Sequence, residues 1–145
     1  MGRTTTRIPS VVYTASLTIH KDAAGDLAQL KRDVPGVHAR LVALLTQIKS
    51  DEKLLAKLLD HGFGKARDEQ ISVSKWFTPG KDLWRLRYWE LEQFGWNYRI
   101  VYVYLPEQVR FVVMGIFPRD GFDYDDPSNP LHRRVLESLA KSFGK

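Results

Sequence analysis

The spacing of apolar positions changes character along the chain. From Val11 to Ile19, the apolar residues Tyr13, Ala15, Leu17 and Ile19 alternate with Thr14, Ser16 and Thr18. That period of two predicts a half-buried strand. The period then lengthens. Lys21 to Val34 carries Leu27, Leu30 and Val34 on one side before Pro35-Gly36 interrupts it. Val37 to Ser50 carries Leu41, Leu44, Leu45 and Ile48, and Asp51 to His61 carries Leu54, Leu55, Leu58 and Leu59 before Gly62. These spacings predict amphipathic helices whose leucines belong to the core.

After Gly64 aromatic and β-branched residues take over. Ile71 to Phe77 predicts a short strand closed by the turn Thr78-Pro79-Gly80. Asp82 to Leu91 sets Trp84, Leu86 and Tyr88 against Arg85, Arg87 and Trp89. Gln93 to Trp96, with Gly95, predicts a hairpin turn. Asn97 to Leu105 sets Tyr98, Ile100, Tyr102 and Tyr104 against Arg99, Val101 and Val103, and Pro106-Glu107-Gln108 makes the next turn. Arg110 to Phe117 is nearly all apolar, which predicts a central strand buried on both faces. A polar, acidic loop follows, from Arg119 to Ser128. Asn129 then predicts an N-cap, Pro130 a first helical position, and Leu131, Val135, Leu139 and Phe143 the stripe of a last helix.

The predicted order is strand, helices, a meander of about four strands, and a C-terminal helix. Short turns make successive strands of a meander antiparallel neighbours. Helices grouped ahead of the meander predict that they cover one face of the sheet, an α+β fold. A chain of 145 residues forms one domain, residues 1–145, with Met1 to Pro9 as a loose basic arm.

Composition narrows the chemistry. The chain has no cysteine, which excludes disulfides and thiolate nucleophiles and agrees with a cytoplasmic location. No apolar run approaches the roughly 20 residues that span a bilayer, and the N-terminus lacks the apolar stretch of a signal peptide. Met1-Gly2-Arg3-Thr4-Thr5-Thr6 satisfies the loose myristoylation pattern, but nothing else points to a membrane. The net charge of +5 favours anionic partners.

The four histidines, His20, His38, His61 and His132, show no metal-ligand spacing and no cysteine completes a site, so no metal is expected. There is no Gly-rich phosphate loop and no nucleophile elbow, and no small-molecule cofactor is expected. Asp123, Asp125 and Asp126 lack the glycine and distal glutamate of an EF-hand loop and read as a solvated loop. What remains is a basic and aromatic set on the predicted strands. Lys75, Lys81, Arg85, Arg87, Arg99, Arg110 and Arg119 interleave with Trp76, Trp84, Trp89, Tyr98 and Tyr102. Guanidinium forks grip phosphates and flat rings stack on unpaired bases, so such a sheet suits RNA. The same pattern also describes a sheet with an aromatic core face and a solvated charged face.

Three segments carry a family resemblance: Leu83-Trp84-Arg85-Leu86-Arg87, then Asn97-Tyr98-Arg99-Ile100-Val101-Tyr102, then Val112-Val113-Met114-Gly115-Ile116-Phe117-Pro118-Arg119. Together with the flanking helices, from about Tyr13 to Phe143, they resemble the RelE/ParE superfamily of bacterial toxins. The resemblance implies a small twisted antiparallel sheet with N-terminal helices packed on one face and a C-terminal helix, similar to microbial ribonucleases. It also implies a toxin neutralised by a cognate antitoxin protein. RelE-like members cut mRNA on the ribosome without a metal; ParE-like members inhibit DNA gyrase without catalysis. A domain that kept the fold and lost toxicity is a further alternative.

For RelE-like cleavage the resemblance implies catalytic roles for Arg99, Arg119 and Tyr124 and basic contacts from Arg85 and Arg87. The basic and aromatic set adds Lys81 as a catalytic candidate and Lys75 and Trp89, with Arg85 and Arg87, as RNA-binding residues. Arg99 matches the arginine of the second motif and Arg119 the basic residue after the last strand, with Tyr124 beyond it. Arginine stays protonated and cannot be the base. Lys75, Lys81 or Tyr124 would need a depressed pKa for that task. The acidic residues between Asp120 and Asp126 favour the non-nuclease alternatives.

Overall fold

The computed structural model describes residues 15–145, so the basic arm, the myristoylation pattern and the Val11 to Thr14 part of the first strand lie outside the described residues. The chain runs β1 (Ser16–Ile19), α1 (Lys21–Asp33), α2 (Pro35–Lys49), α3 (Glu52–Lys57), β2 (Ile71–Thr78), β3 (Lys81–Tyr88), α4 (Trp89–Gln93), β4 (Tyr98–Leu105), β5 (Arg110–Pro118) and α5 (Pro130–Phe143). The five strands form one sheet in the order β1-β5-β4-β3-β2. The meander β2 to β5 is antiparallel throughout, as short connections require, but β1 lies parallel to β5. The sheet is therefore mixed, and the expectation of an all-antiparallel sheet is corrected at its edge. Three helices separate β1 from the meander, which gives the chain room to return for a parallel pairing.

Every residue from Phe111 to Phe117 is buried, as its unbroken apolar run predicts. One face of the sheet packs Leu17, Val73, Leu86, Ile100, Tyr102 and Val113 against Leu27, Leu41, Leu44 and Ile48 of α1 and α2. The other packs Leu83, Val101, Val103, Val112 and Met114 against Val135 and Leu139 of α5. The helices thus form two layers, the N-terminal group on one face and α5 on the other. A β-bulge keeps the long strand in step with both. Val101 pairs with Gly115 and Tyr102 with Val113, which leaves Met114 as the extra residue. A Cβ on Gly115 would lie 2.1 Å from the Phe117 ring and 2.9 Å from Arg134, so only glycine fits the bulge.

Several boundaries differ from the sequence pattern. The predicted helix from Asp51 to His61 stops at Lys57, because the next segment bonds to the sheet edge. The Gly62 amide donates to Val73 O (2.8 Å), the Val73 amide to Phe63 O (2.9 Å) and the Lys75 amide to His61 Nδ1 (2.9 Å). These bonds occupy part of the outer edge of β2, which would otherwise invite pairing with another chain. The expected hairpin turn at Gln93 to Trp96 is instead preceded by the short helix α4, so β3 ends at Tyr88. Ile19, predicted to point inward with Leu17, is 41% exposed, since the strand ends there.

A polar seam joins α1 to α5 around the sheet edge beyond the end of β1. His20 Nδ1 caps α1 by accepting the Asp22 amide, and its Nε2 lies 2.9 Å from Ser142 Oγ. Ser138 Oγ donates to Asp22. Arg134 makes a two-pronged pair with Asp26 (3.0 and 2.7 Å), whose Oδ2 also accepts the Ile116 amide at 2.9 Å. Residues 134, 138 and 142 are one turn apart on α5, so its whole length is registered against α1. Lys81 Nζ donates to Lys145 O and holds the far end. Among the described residues no helix is long and apolar enough to cross a membrane.

Leu44 is 1% exposed in the centre of the helix layer. Leu44→Ala should cost roughly 2–5 kcal/mol by emptying that position. Asp26→Ala should cost about 1–3 kcal/mol, because it strands the Ile116 amide and Arg134. Chemical denaturation of the two variants against wild type measures both losses.

Candidate functional site

The strand registers set the polar side chains in rows on the α5 face of the sheet. The row Ser72, Arg87, Arg99, Phe117 crosses β2 to β5; the row Ser74, Arg85, Val101, Gly115 lies beside it; the row Trp76, Leu83, Val103, Val112 is apolar. Helix α5 has 14 residues and is about 21 Å long. Its buried side chains pack on the apolar row, and Arg134 reaches Phe117 at the β5 end, while the Arg85, Arg87 and Arg99 part of the other two rows is left to a cleft of about 680 Å³. His61, Gly62 and Lys65 form one wall, and Arg119, Phe122 and Tyr124 the other. Ser72, Ser74, Arg85, Arg87, Arg99 and Trp89 complete the lining, and no carboxylate lines it.

Of the sequence-predicted residues, Arg85, Arg87, Trp89, Arg99, Arg119 and Tyr124 come together in this cleft. Lys75 and Lys81 do not. Lys75 pairs with Trp84 in the β2–β3 register, on the face opposite Arg85, and its Nζ is held 2.8 Å from Asp82 and 4.9 Å from the Trp84 ring centroid. Lys81 shares the face of Arg85 but lies four residues away, about 13 Å along the strand, where it caps the C-terminus. His61, Lys65, Ser72, Ser74 and Phe122 line the cleft without having been singled out from the sequence. The alternation of β2 marks Ser72 and Ser74 as cofacial with Trp76. His61 and Lys65 carry no local signal, because their place depends on the loop bonded to β2.

Tyr124 is fixed by an aromatic cluster. Trp76 Nε1 donates to Tyr124 O (3.1 Å), the Phe122 and Tyr124 rings lie 4.4 Å apart, and His132 stacks on Phe122 while its Nδ1 lies 2.9 Å from Asp123 O. The Arg85 guanidinium sits 4.4 Å over the Tyr124 ring. The Tyr124 hydroxyl is shielded from solvent and makes no hydrogen bond of ordinary geometry. Burial pushes its phenol above the ordinary value, with the Arg85 and Arg99 charges pulling the other way. The phenol is therefore a neutral proton donor at pH 7. Asp123 and Asp126 turn back to accept amides of their own loop.

The guanidinium of Arg87 is gripped by Glu92 of α4 through Nε (2.6 Å) and Nη2 (2.9 Å). Arg99 and Arg67 lie 3.6 and 3.9 Å from the same carboxylate. Arg67 and Arg87 each lie 4.4 Å from the Trp89 ring centroid, and Trp89 Nε1 donates to Gly64 O. Trp89 thus supports two arginines. Arg99 is only 7% exposed, and burial together with Arg87 lowers its guanidinium from the ordinary value, though it stays charged. The Arg87 hydrogen bonds hold the Glu92 carboxyl below the ordinary carboxylate range against the opposing pull of burial, with Arg99 and Arg67 adding to the effect.

The arrangement has the chemistry to take an anion: guanidinium groups, a lysine and serine hydroxyls line the cleft, and among the described residues no carboxylate does. Among the described residues no three His, Asp or Glu side chains are grouped to hold a metal ion. Comparison with protein-family models, curated proteins and solved structures finds no match to this chain.

Because the folded pKa of Glu92 is depressed, its stabilising contribution is present above the ordinary carboxylate range and is lost as pH falls through the folded value. Denaturant midpoints of wild type and Glu92→Gln should therefore differ most near neutrality and converge in acid.

Proposed function

We propose that this protein is a RelE-like toxin: a ribosome-dependent, metal-free mRNA endonuclease neutralised by a cognate antitoxin. The observation that carries the reading is the cleft itself, where Arg85, Arg87, Arg99 and Arg119 converge on the half of the sheet that α5 leaves open. Cleavage by the 2′-hydroxyl places negative charge on the phosphate oxygens, and preorganised guanidinium groups stabilise that charge most where they need not move. Arg119 follows the most buried strand, with its amide bonded to Asn97 O at 2.9 Å, so a rigid element carries it into the open cleft. Tyr124 carries the proton-donor role toward the leaving 5′-oxygen in this reading, and its hydroxyl, shielded beneath Arg85, has to be uncovered as RNA binds. The antitoxin is expected to be acidic and to cover the arginine rows or to displace α5.

A specific observation favours a second reading, a ParE-like gyrase inhibitor that binds without cutting. Neither lysine named as a candidate base lies in the cleft, and burial disfavours the Tyr124 phenolate. His61 spends Nδ1 on the Lys75 amide, so its neutral ring offers the cleft an N–H rather than a lone pair.

The two readings separate on one experiment. After induction in a bacterial host, mapping of mRNA ends should show cuts inside codons. Arg119→Ala should lower cleavage about 100- to 1,000-fold, as loss of one preorganised donor does, and should remain folded and able to bind antitoxin. Arg119→Lys should recover only part, since lysine cannot make a two-pronged phosphate contact. Unchanged cleavage by Arg119→Ala rejects the nuclease reading; growth arrest with intact messages and damaged DNA establishes the alternative.

A further inference from the structure

Arg87 and Arg99 stand directly opposite each other in the β3–β4 register, and facing like charges on adjacent strands repel. Arg99 is also buried, so water screens it poorly. Such a pair needs a compensating anion in the resting protein. The only carboxylate recorded within 4 Å of either guanidinium, among the described residues, belongs to Glu92. It comes from α4, the short helix that interrupts the β3–β4 connection. Its side chain is 13% exposed and it does not line the cleft, so it meets the arginines from outside the cleft lining. Two of its bonds run to Arg87 in the parallel, two-pronged geometry that a phosphate would also take.

We propose that Glu92 is the positioning residue of the cleft: an internal counter-anion that holds the Arg87–Arg99 pair in place for a phosphate before any ligand arrives. The inference rests on the reading that the cleft binds phosphate. Without the carboxylate, the two guanidinium groups separate and an external anion must bring them back together. Glu92 touches no ligand in this scheme. Its effect is on the order of the arginines, and so on the reaction rate more than on the encounter with RNA. Loss of its negative charge also makes the cleft more positive, which favours binding.

Glu92→Gln keeps the shape of the side chain and removes the charge. At low salt it is expected to melt below wild type. Added inorganic phosphate should narrow that gap, and sodium chloride of equal ionic strength should not, because an oxyanion can take the two-pronged contact and chloride cannot. In the cleavage assay kcat should fall by up to ~100-fold, the scale of a misplaced catalytic group, while KM should not rise. A gap that phosphate leaves open makes Glu92 a structural residue only and overturns the proposal, as does a variant that melts like wild type. If Glu92→Gln does not fold, the double variant Arg87→Gln/Glu92→Gln decides: restored folding supports charge compensation, and continued failure rejects it. If wild type cuts no RNA, the nuclease reading fails by itself, while the phosphate-dependent melting still tests the role of Glu92.

Discussion

The seam between α1 and α5 determines what the rest of the molecule can be. A sheet with apolar residues on both faces needs two covers, and here the second cover is a single helix. Asp26 is the centre of its attachment, because one carboxylate binds Arg134 and also satisfies the Ile116 amide where β1 no longer shields the edge of β5. His20 and Asp22 continue the contact toward the C-terminus of α5. Registered in this way, α5 lies on the apolar row of Leu83, Val103 and Val112. The neighbouring arginine rows form the floor of the cleft as a consequence, with Arg85 and Arg87 half-buried and Arg99 buried.

Concentrating like charge on a rigid surface is costly, and several devices offset the cost. Glu92 offsets part of the charge of Arg87 and Arg99, the Trp89 ring lies against Arg67 and Arg87, and the Tyr124 ring lies under Arg85. Each device also restrains a long side chain that would otherwise lose much of its freedom on meeting a ligand. The cleft is therefore partly ordered in advance, which is the condition under which fixed charges contribute most to stabilising a transition state. The aromatic cluster of Trp76, Phe122 and His132 does the same for the backbone around Tyr124.

Local pattern carried much of the fold. The alternation of Arg85 and Arg87 with Trp84 and Leu86 states that the arginines share one face, and the register of β3 with β4 adds Arg99 to it. The unbroken run from Phe111 to Phe117 marks the central strand, and Asn129-Pro130 marks the start of α5, where Asn129 accepts the Leu131 and His132 amides. These features follow from the pleat of a strand and the unpaired amides of a helix start, which a sequence displays directly.

Other features depended on contacts between segments far apart in the chain. Lys75 alternates as a strand residue should, but only pairing with Asp82 and Trp84 shows that it faces away from the arginines. His61 joins the cleft because the chain leaves α3 early to bond with β2, and a helical period cannot anticipate that exchange. Glu92 reads in sequence as one more surface carboxylate; its role appears when α4 folds back beside Arg87 and Arg99. The parallel pairing of β1 rests on hydrogen bonds to a strand more than ninety residues later. The sequence by itself determined which residues lie on strands and helices and which faces they share, since those properties are periodic and local. Which faces meet, where α5 stops and which charge answers which were decided by the tertiary structure, because burial and ion pairing depend on distances in space that sequence spacing does not encode.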